Sequence, residues 1–485
     1  MRTASPRYTS LAAALFLGGL AGCAPSVEIP SPQVSLPPSF EQRAQTGAPA
    51  SGQLTDQWWN NFNDAQLSQL IGTALERSTT IRLAYARIDE ARAFRNQSRA
   101  ATLPTGSLTG TVSRQGNEGL WGTGVDTRPV NSAQLSFSPS WEIDLFGRLD
   151  AIRDRADADA AASAFDFEGV RLSLAADVAF SLFQARLLAA QLGTAQETRD
   201  IATQLATAAR IGNDRGLTSG QDVARLDTEA ASASAEVERL DNELQIAKRS
   251  LLILTGTPTE PTTSLAIEPV LANPPALPAS APSTLLARRP DVRSAAASLQ
   301  AAILTAEIDR LALFPRFTIQ PGIGLSTTSL ASGGGTGLWS LAAGLALPVL
   351  DRARLLAGMR VSEARGVQAA IQYEQTVQSA FGEAENTLAR VYSGQRRVTE
   401  LETAAGSAEK AFAIARRSYQ AGLIDLTTFL QVGRTWLQAR NARDAGRATL
   451  LSDTVSAIRA LGGGWDEQSS EVADLIELFP DGTTP

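Results

Sequence analysis

The sequence predicts an α+β membrane protein built from a duplicated unit of helix, β-hairpin and long helical hairpin. Three observations predict it. Landmark residues recur about two hundred positions apart, four segments alternate apolar with polar residues, and two helical stretches exceed any ordinary globular helix.

Composition narrows the function classes. Of 485 residues, 43 are Lys or Arg and 50 are Asp or Glu, with no His, one Cys and two Met. A formal charge of −7 and a pI near 5.1 argue against a nucleic-acid partner. Without His there is no Ser-His-Asp triad, and one Cys builds neither a disulfide framework nor a Cys-rich zinc site. No nucleotide loop of the phosphate-cradling type is visible, since the glycines at Ser332-Gly333-Gly334-Gly335 are not followed by the lysine it needs. The chain is therefore expected to be no enzyme and to need no cofactor or metal.

The first residues read as an address. Arg2 and Arg7 precede an apolar stretch from Leu11 to Leu20, and small residues lead into Cys23. Leu20-Ala21-Gly22-Cys23 resembles the lipobox of bacterial lipoproteins, which implies cleavage after residue 22 and lipidation of Cys23. Residue 24 is Ala rather than the Asp that retains such proteins at the inner membrane, so the outer membrane is favoured. The expected parts are a signal peptide at 1–22 and a lipidated linker at 23–55. Beyond Cys23 no run approaches the roughly 20 apolar residues of a spanning helix, so any crossing of the bilayer must be a β-barrel.

The repeat sets the rest of the plan. Ile81-Arg82 and Leu103-Pro104 recur as Val292-Arg293 and Phe314-Pro315, Arg148 as Arg352, and Arg210, Gly216 and Leu217 as Arg416, Gly422 and Leu423. Two copies are placed at 56–256 and 284–464. A proline-rich linker at 257–283 joins them, and an acidic tail at 465–485 is expected to be solvated or loosely packed.

Strands are expected near 105–113, 133–146, 316–326 and 338–348. In the second, Leu135, Phe137, Trp141, Ile143 and Leu145 alternate with Ser136, Ser138, Ser140, Glu142 and Asp144. Phe317, Ile319, Ile323 and Leu325 repeat the pattern in the third, and Trp339, Leu341, Leu345 and Leu347 in the fourth; Leu108 to Val112 is a weaker match. The pattern alone fits a half-buried soluble sheet equally well. An outer-membrane address favours an apolar exterior around a wet lumen, with Trp121, Trp141 and Trp339 in an interfacial belt. Four strands cannot close a barrel, because the smallest need about eight. The barrel reading thus requires oligomerisation: eight strands from two chains or twelve from three.

The helices suggest a tube. No proline interrupts Asp150 to Asn213, a span of about 90 Å at 1.5 Å per residue. The return helix carries a heptad seam of Val223, Leu226, Ala230, Ala233, Val237, Leu240, Leu244, Ala247, Leu251 and Leu254. The hairpins are expected near 150–255 and 352–461. Gly147 suits a strand-to-helix turn, and Pro104 and Pro315 suit helix-to-strand breaks.

Together these residues resemble the TolC-like outer-membrane efflux family, in its NodT-type lipoprotein branch. The likeness rests on Trp58-Trp59 with Phe62, Asp64 and Leu67, on Trp141-Glu142-Ile143-Asp144-Leu145-Phe146-Gly147-Arg148, and on Arg288-Arg289-Pro290-Asp291-Val292 followed by Phe314-Pro315. It covers nearly the whole mature chain. The resemblance implies a homotrimer with a twelve-stranded outer-membrane β-barrel and a long periplasmic α-helical barrel. The implied partners are outer-membrane lipid, a periplasmic adaptor (membrane fusion) protein and an inner-membrane transporter of the RND type. The implied role is the passive exit duct of a tripartite efflux system for drugs or other small toxic compounds. The second copy departs from the pattern at Val349-Leu350-Asp351-Arg352, where the expected glycine is missing.

In that family the turns between long helices form the periplasmic mouth. The resemblance therefore makes Asp214, Arg215, Gly216, Leu217, Asp222, Arg417, Gly422, Leu423, Asp425 and Gln431 the tip or gate candidates. Gly147, Arg148, Asp351 and Arg352 mark the strand–helix junctions. The competing reading is a periplasmic lipoprotein adaptor, a coiled-coil binding module without its own pore. It gives no reason for four alternating segments or for a duplicated plan.

Overall fold

The computed structural model describes residues 26–41, 57–116, 129–277, 287–328, 335–463 and 472–476. The signal peptide, Cys23 and Trp121 lie outside the described residues. A 3-10 turn at Trp58–Phe62 opens the first copy. There follow α1 (Ala65–Arg77), α2 (Thr79–Ala101), β1 (Thr105–Gln115), β2 (Val130–Ile143), α3 (Arg148–Asp214) and α4 (Gly220–Leu254). The second copy runs α5 (Pro290–Leu311), β3 (Arg316–Thr328), β4 (Gly335–Ala346), α6 (Arg352–Gln420) and α7 (Leu426–Ala460), with a short α8 at Ala473–Ile476.

The four strands form one antiparallel sheet in the order β1-β2-β3-β4. Its register places Leu108, Phe137, Ile323 and Trp339 side by side across all four strands. Opposed residues of paired strands share a face, so this row belongs to one continuous apolar surface. Trp339 is 84% exposed and Trp141 51%. Apolar surface of this extent in water would be strongly unfavourable; in lipid it is the required exterior. Among the described residues, the edge strands β1 and β4 each have a paired neighbour on one side only.

The helical shafts hang below the sheet. At 67 and 69 residues, α3 and α6 are each about 100 Å long. The α4 seam is buried at Leu226, Val237, Leu240, Leu244 and Leu251, where it packs on α3. Alanine is the main lining of α3: Ala160, Ala161, Ala164, Ala175, Ala176, Ala179 and Ala185 are buried, letting neighbours approach closely. One apolar window of α3 is long enough to cross a membrane, which the sequence reading did not expect beyond Cys23. Most of that window is buried among neighbouring helices, as befits a wall helix enriched in alanine.

Two segments from the two ends of the chain pack against the helices. Residues 26–41 run extended along α6. The N–H groups of Glu28, Gln33 and Glu41 donate to the carboxylates of Glu363, Glu374 and Glu385 at 2.8, 2.7 and 2.9 Å. These acids recur every eleven residues, three helical turns, and so share one face. Phe40 is buried and stacks on Phe381. At the other terminus the solvated-tail expectation needs correction at 472–476. Val472 and Leu475 are fully buried in the main core, and Asp474 pairs with Arg92 of α2 at 3.0 Å. Two apolar residues three apart give even this short turn a docking face.

Candidate functional site: junctions and helical tips

At the first strand–helix junction Gly147 adopts φ +82°, a left-handed conformation that L side chains resist. Arg148 then turns back onto β2 and grips Glu142 through two contacts of 2.7 Å. The Asp144 carboxylate accepts the N–H groups of Leu149 and Asp150 at 2.8 and 3.0 Å, supplying the cap that glycine cannot. Phe146 packs on Phe314 of the second copy with centroids 4.9 Å apart. In the second junction Asp351 has φ −79° and no capping bond, while Leu350 projects into the surroundings. The missing glycine is therefore matched by an ordinary right-handed turn.

The two tips are built alike. Gly216 and Gly422 have φ +70° and +72°. Leu217 N–H reaches Gly212 O, and Leu423 N–H reaches Ser418 O, both at 2.8 Å; this is the wrapped C-terminus that only a left-handed residue permits. The return helices start with side-chain caps. Ser219 Oγ accepts from Asp222 N–H at 3.1 Å and donates to the Asp222 carboxylate at 2.7 Å. Asp425 accepts from Thr428 N–H at 2.8 Å, and hydrogen bonds from Thr428 hold its carboxyl below the usual range. Leu217 and Leu423 are exposed apolar residues at the lowest point.

The candidate charges are brought to the tip but not into mutual pairs. Asp214, Arg215 and Gln431 are exposed, and Arg417 donates to its own helix at Ala413 O. Three other contacts tie the two hairpins. Arg225 donates to Thr427 at 2.9 Å, Arg434 to Glu229 at 2.8 Å and Arg440 to Glu197 at 3.1 Å. Sequence reasoning missed these because each joins residues more than 200 apart.

It also missed an asymmetry above the tips. The second hairpin carries a ladder of aromatic rings: Tyr419 lies 5.0 Å from Phe429, Phe429 5.8 Å from Phe412, and Phe412 4.6 Å from Trp436. Applying the 206-residue offset of the two tips gives Asn213, Val223, Ala206 and Ala230 in the first hairpin. There a thin core of Ala206, Ala209 and Leu226 takes the place of the rings. The repeat offset was the signal that would have revealed it.

No group of His, Cys, Asp and Glu among the described residues is arranged to hold a metal. Comparison with known proteins completes the picture. The family model described as outer membrane efflux protein matches residues 70–257 and 281–463. A pyoverdine export outer membrane protein, OpmQ of Pseudomonas putida, is 28% identical over 446 residues, covering 90% of this chain and 94% of that one. The probable outer membrane lipoprotein SilC of Salmonella typhimurium is 28% identical over 471 residues, covering 95% and 99%. The solved MtrE outer membrane channel of Neisseria gonorrhoeae superposes with a TM-score of 0.78 at 25% identity, covering 91% and 98%. The chain belongs to the outer membrane efflux protein family: it is an outer-membrane channel for efflux with a long periplasmic helical extension, and not an enzyme.

Proposed function

We propose that three copies of this chain form the passive exit duct of a tripartite efflux system. One observation carries the reading: a four-stranded sheet with an apolar face and two unpaired edges stands on helices about 100 Å long. An open edge in lipid costs several kcal/mol per unpaired backbone group, so the sheet must be completed by copies of itself. Twelve strands close a barrel, and twelve helical shafts continue it below. Energy comes from elsewhere, through an adaptor at the tips and an inner-membrane transporter, which we take to be of the RND type. Drugs or other small toxic compounds are the proposed cargo. Cys23 is the proposed lipid attachment site, and residues 26–41, which follow it closely in the chain, run along α6. The mouth is proposed at the tips, where Leu217 and Leu423 offer apolar contacts to the adaptor. Asp214, Arg215, Asp222, Arg417, Asp425 and Gln431 line the rim there.

The test uses the purified, lipid-modified chain in detergent and in planar bilayers. A mass of three copies with single-channel conductance is expected. A stable monomer that conducts nothing overturns the reading.

A further inference from the structure

The register that gathers apolar residues on one face of the sheet gathers a different set on the other. On β1 and β2 it pairs Ser107 with Ser138, Thr109 with Ser136 and Ser113 with Ser132. On β3 and β4 hydroxyls lean over glycines: Ser340 Oγ and Thr318 Oγ1 lie 2.6 Å from where a Cβ would stand on Gly322 and Gly344. Among the described residues, this face of the four strands carries two charged side chains, Glu142 and Arg316. They lie at the same end, where the sheet hands over to the helices. Glu142 stands opposite Thr318, two positions along β3 from Arg316. Arg316 stands opposite Ala346, the last residue of β4.

The two charges are not equivalent. Arg148 neutralises Glu142 through its two contacts of 2.7 Å. Arg316 is exposed and forms no hydrogen bond or ion pair among the described residues. The acids of the two junctions are engaged elsewhere: Asp144 caps α3, and Asp351 lies 3.4 Å from Arg354. Nor does the fold ask for arginine at this place. By the 211-residue offset that relates Leu103-Pro104 to Phe314-Pro315, its counterpart is Thr105, which starts β1 without a charge. Strand β3 is also an inner strand, flanked by β2 and β4 of its own chain, so no neighbouring copy takes a place beside it in the sheet.

We propose that Arg316 gives the duct a preference for anions, three copies forming a cationic band at the foot of an otherwise neutral barrel. The proposal rests on the threefold assembly above and adds a specificity-determining residue to it. Twelve strands about 4.8 Å apart and tilted by about 40° enclose a wall about 24 Å across. From that wall the arginine stem carries its guanidinium to within a Debye length of the axis, about 8 Å at physiological salt. Every solute on the axis therefore feels three unbalanced positive charges at once. Ions and cargo bearing carboxylate, sulfonate or phosphate groups are favoured there, and cations are disfavoured, as in other pores ringed by arginine. The hydroxyl and glycine face beyond the band offers no opposing charge.

The test is the ion selectivity of the full lipid-modified trimer in planar bilayers, read as the reversal potential under a KCl gradient. Arg316→Ser should lower the chloride-to-potassium permeability ratio, most at low ionic strength, and Arg316→Glu should lower it further. Arg316→Lys keeps the charge and should keep the wild-type ratio. Arg114→Ser removes the same charge from the apolar face, where Arg114 stands opposite Asn131, and should leave the ratio unchanged. Charges elsewhere along the tunnel are common to all these variants, so the differences report the band alone. Where Arg316→Ser fails to assemble, Arg316→Gln keeps part of the stem, removes the charge and carries the same comparison. Conducting, charge-free variants with the wild-type ratio, or an equal shift from Arg114→Ser, overturn the proposal while leaving the duct intact. A wild-type chain that stays monomeric or conducts nothing overturns the duct and the proposal together.

Discussion

Arg186, deep in α3, grips Asp64 at the start of α1 through both terminal guanidinium nitrogens. The two residues are 122 apart in the chain, with side chains only 7% and 11% exposed. Asp64 also caps α1 by accepting Leu67 N–H at 3.0 Å. A single carboxylate thus starts one helix and pins it to another, beside the buried Trp58, Phe62 and Phe183.

Removing Arg186 should therefore hurt more than removing the pair. Arg186→Met leaves a buried, unpaired carboxylate, and such losses cost about 3–5 kcal/mol. Arg186→Met with Asp64→Asn should recover much of it. Thermal unfolding of the detergent-solubilised protein checks both; equal melting temperatures for wild type and Arg186→Met would refute the claim.

The same pair gives a pH dependence. Burial alone would raise the Asp64 carboxyl, but Arg186 and the Leu67 N–H outweigh it and hold it below its ordinary value. The ionised form is therefore favoured in the folded state. Its stabilisation is complete above the unfolded value of about 4 and is lost as pH falls through the depressed folded value. The melting temperature of Asp64→Asn should be flatter than wild type across that acid range, and parallel curves would count against it.

The junction glycine should tolerate substitution poorly. At φ +82° Gly147→Val forces a β-branched residue into a conformation costing on the order of 1–3 kcal/mol. Asp351→Gly, at φ −79°, relieves nothing and should be nearly silent. Comparing trimer yields of the two variants separates a strained junction from a merely sensitive loop.

Much of this architecture was legible in the sequence because it is periodic. Leu135, Phe137 and Trp141 alternate on β2, and Leu226, Val237 and Leu251 repeat on α4; both report burial or lipid contact through one short-range rule. Gly216 and Gly422 were readable at the tips because few residues adopt φ near +70°. What stayed hidden depends on distant partners. Nothing in Glu363, Glu374 and Glu385 announces that their acceptors face the backbone of residues 28, 33 and 41. Val472 and Leu475 sit in a stretch whose acidic composition suggested solvent, yet two apolar side chains were enough to dock it. Charged tip residues were legible as a cluster, but their pairing was not, since long side chains choose partners in three dimensions.

The strap should loosen when its acceptors go. Hydrogen bonds to charged groups contribute about 1.5–3 kcal/mol each when buried and less at exposed sites such as these. Glu363→Ala with Glu374→Ala and Glu385→Ala should raise amide exchange across residues 26–41 while leaving α7 unchanged. Unaltered exchange in the strap would mean that Phe40 and its apolar neighbours hold it alone.

The ties between hairpins make the last prediction. If the resting tip is held narrow by contacts within each copy, the residues that cross between hairpins matter more than those at the rim. Arg434 and Arg440 cross, to Glu229 and Glu197, and Arg440 also lies 5.6 Å from the Trp436 ring. Arg215 stands exposed at the end of α3, and Arg417 bonds within its own helix. Each exposed ion pair contributes at most about 1 kcal/mol, but symmetry repeats every tie three times around one opening. Arg434→Ser with Arg440→Ser should therefore raise single-channel conductance in planar bilayers more than Arg215→Ser with Arg417→Ser does. High salt should narrow the gap between wild type and the first variant, because the same pairs are screened. A larger increase from the rim pair would place the constriction at the turns themselves, held by contacts between copies rather than within one.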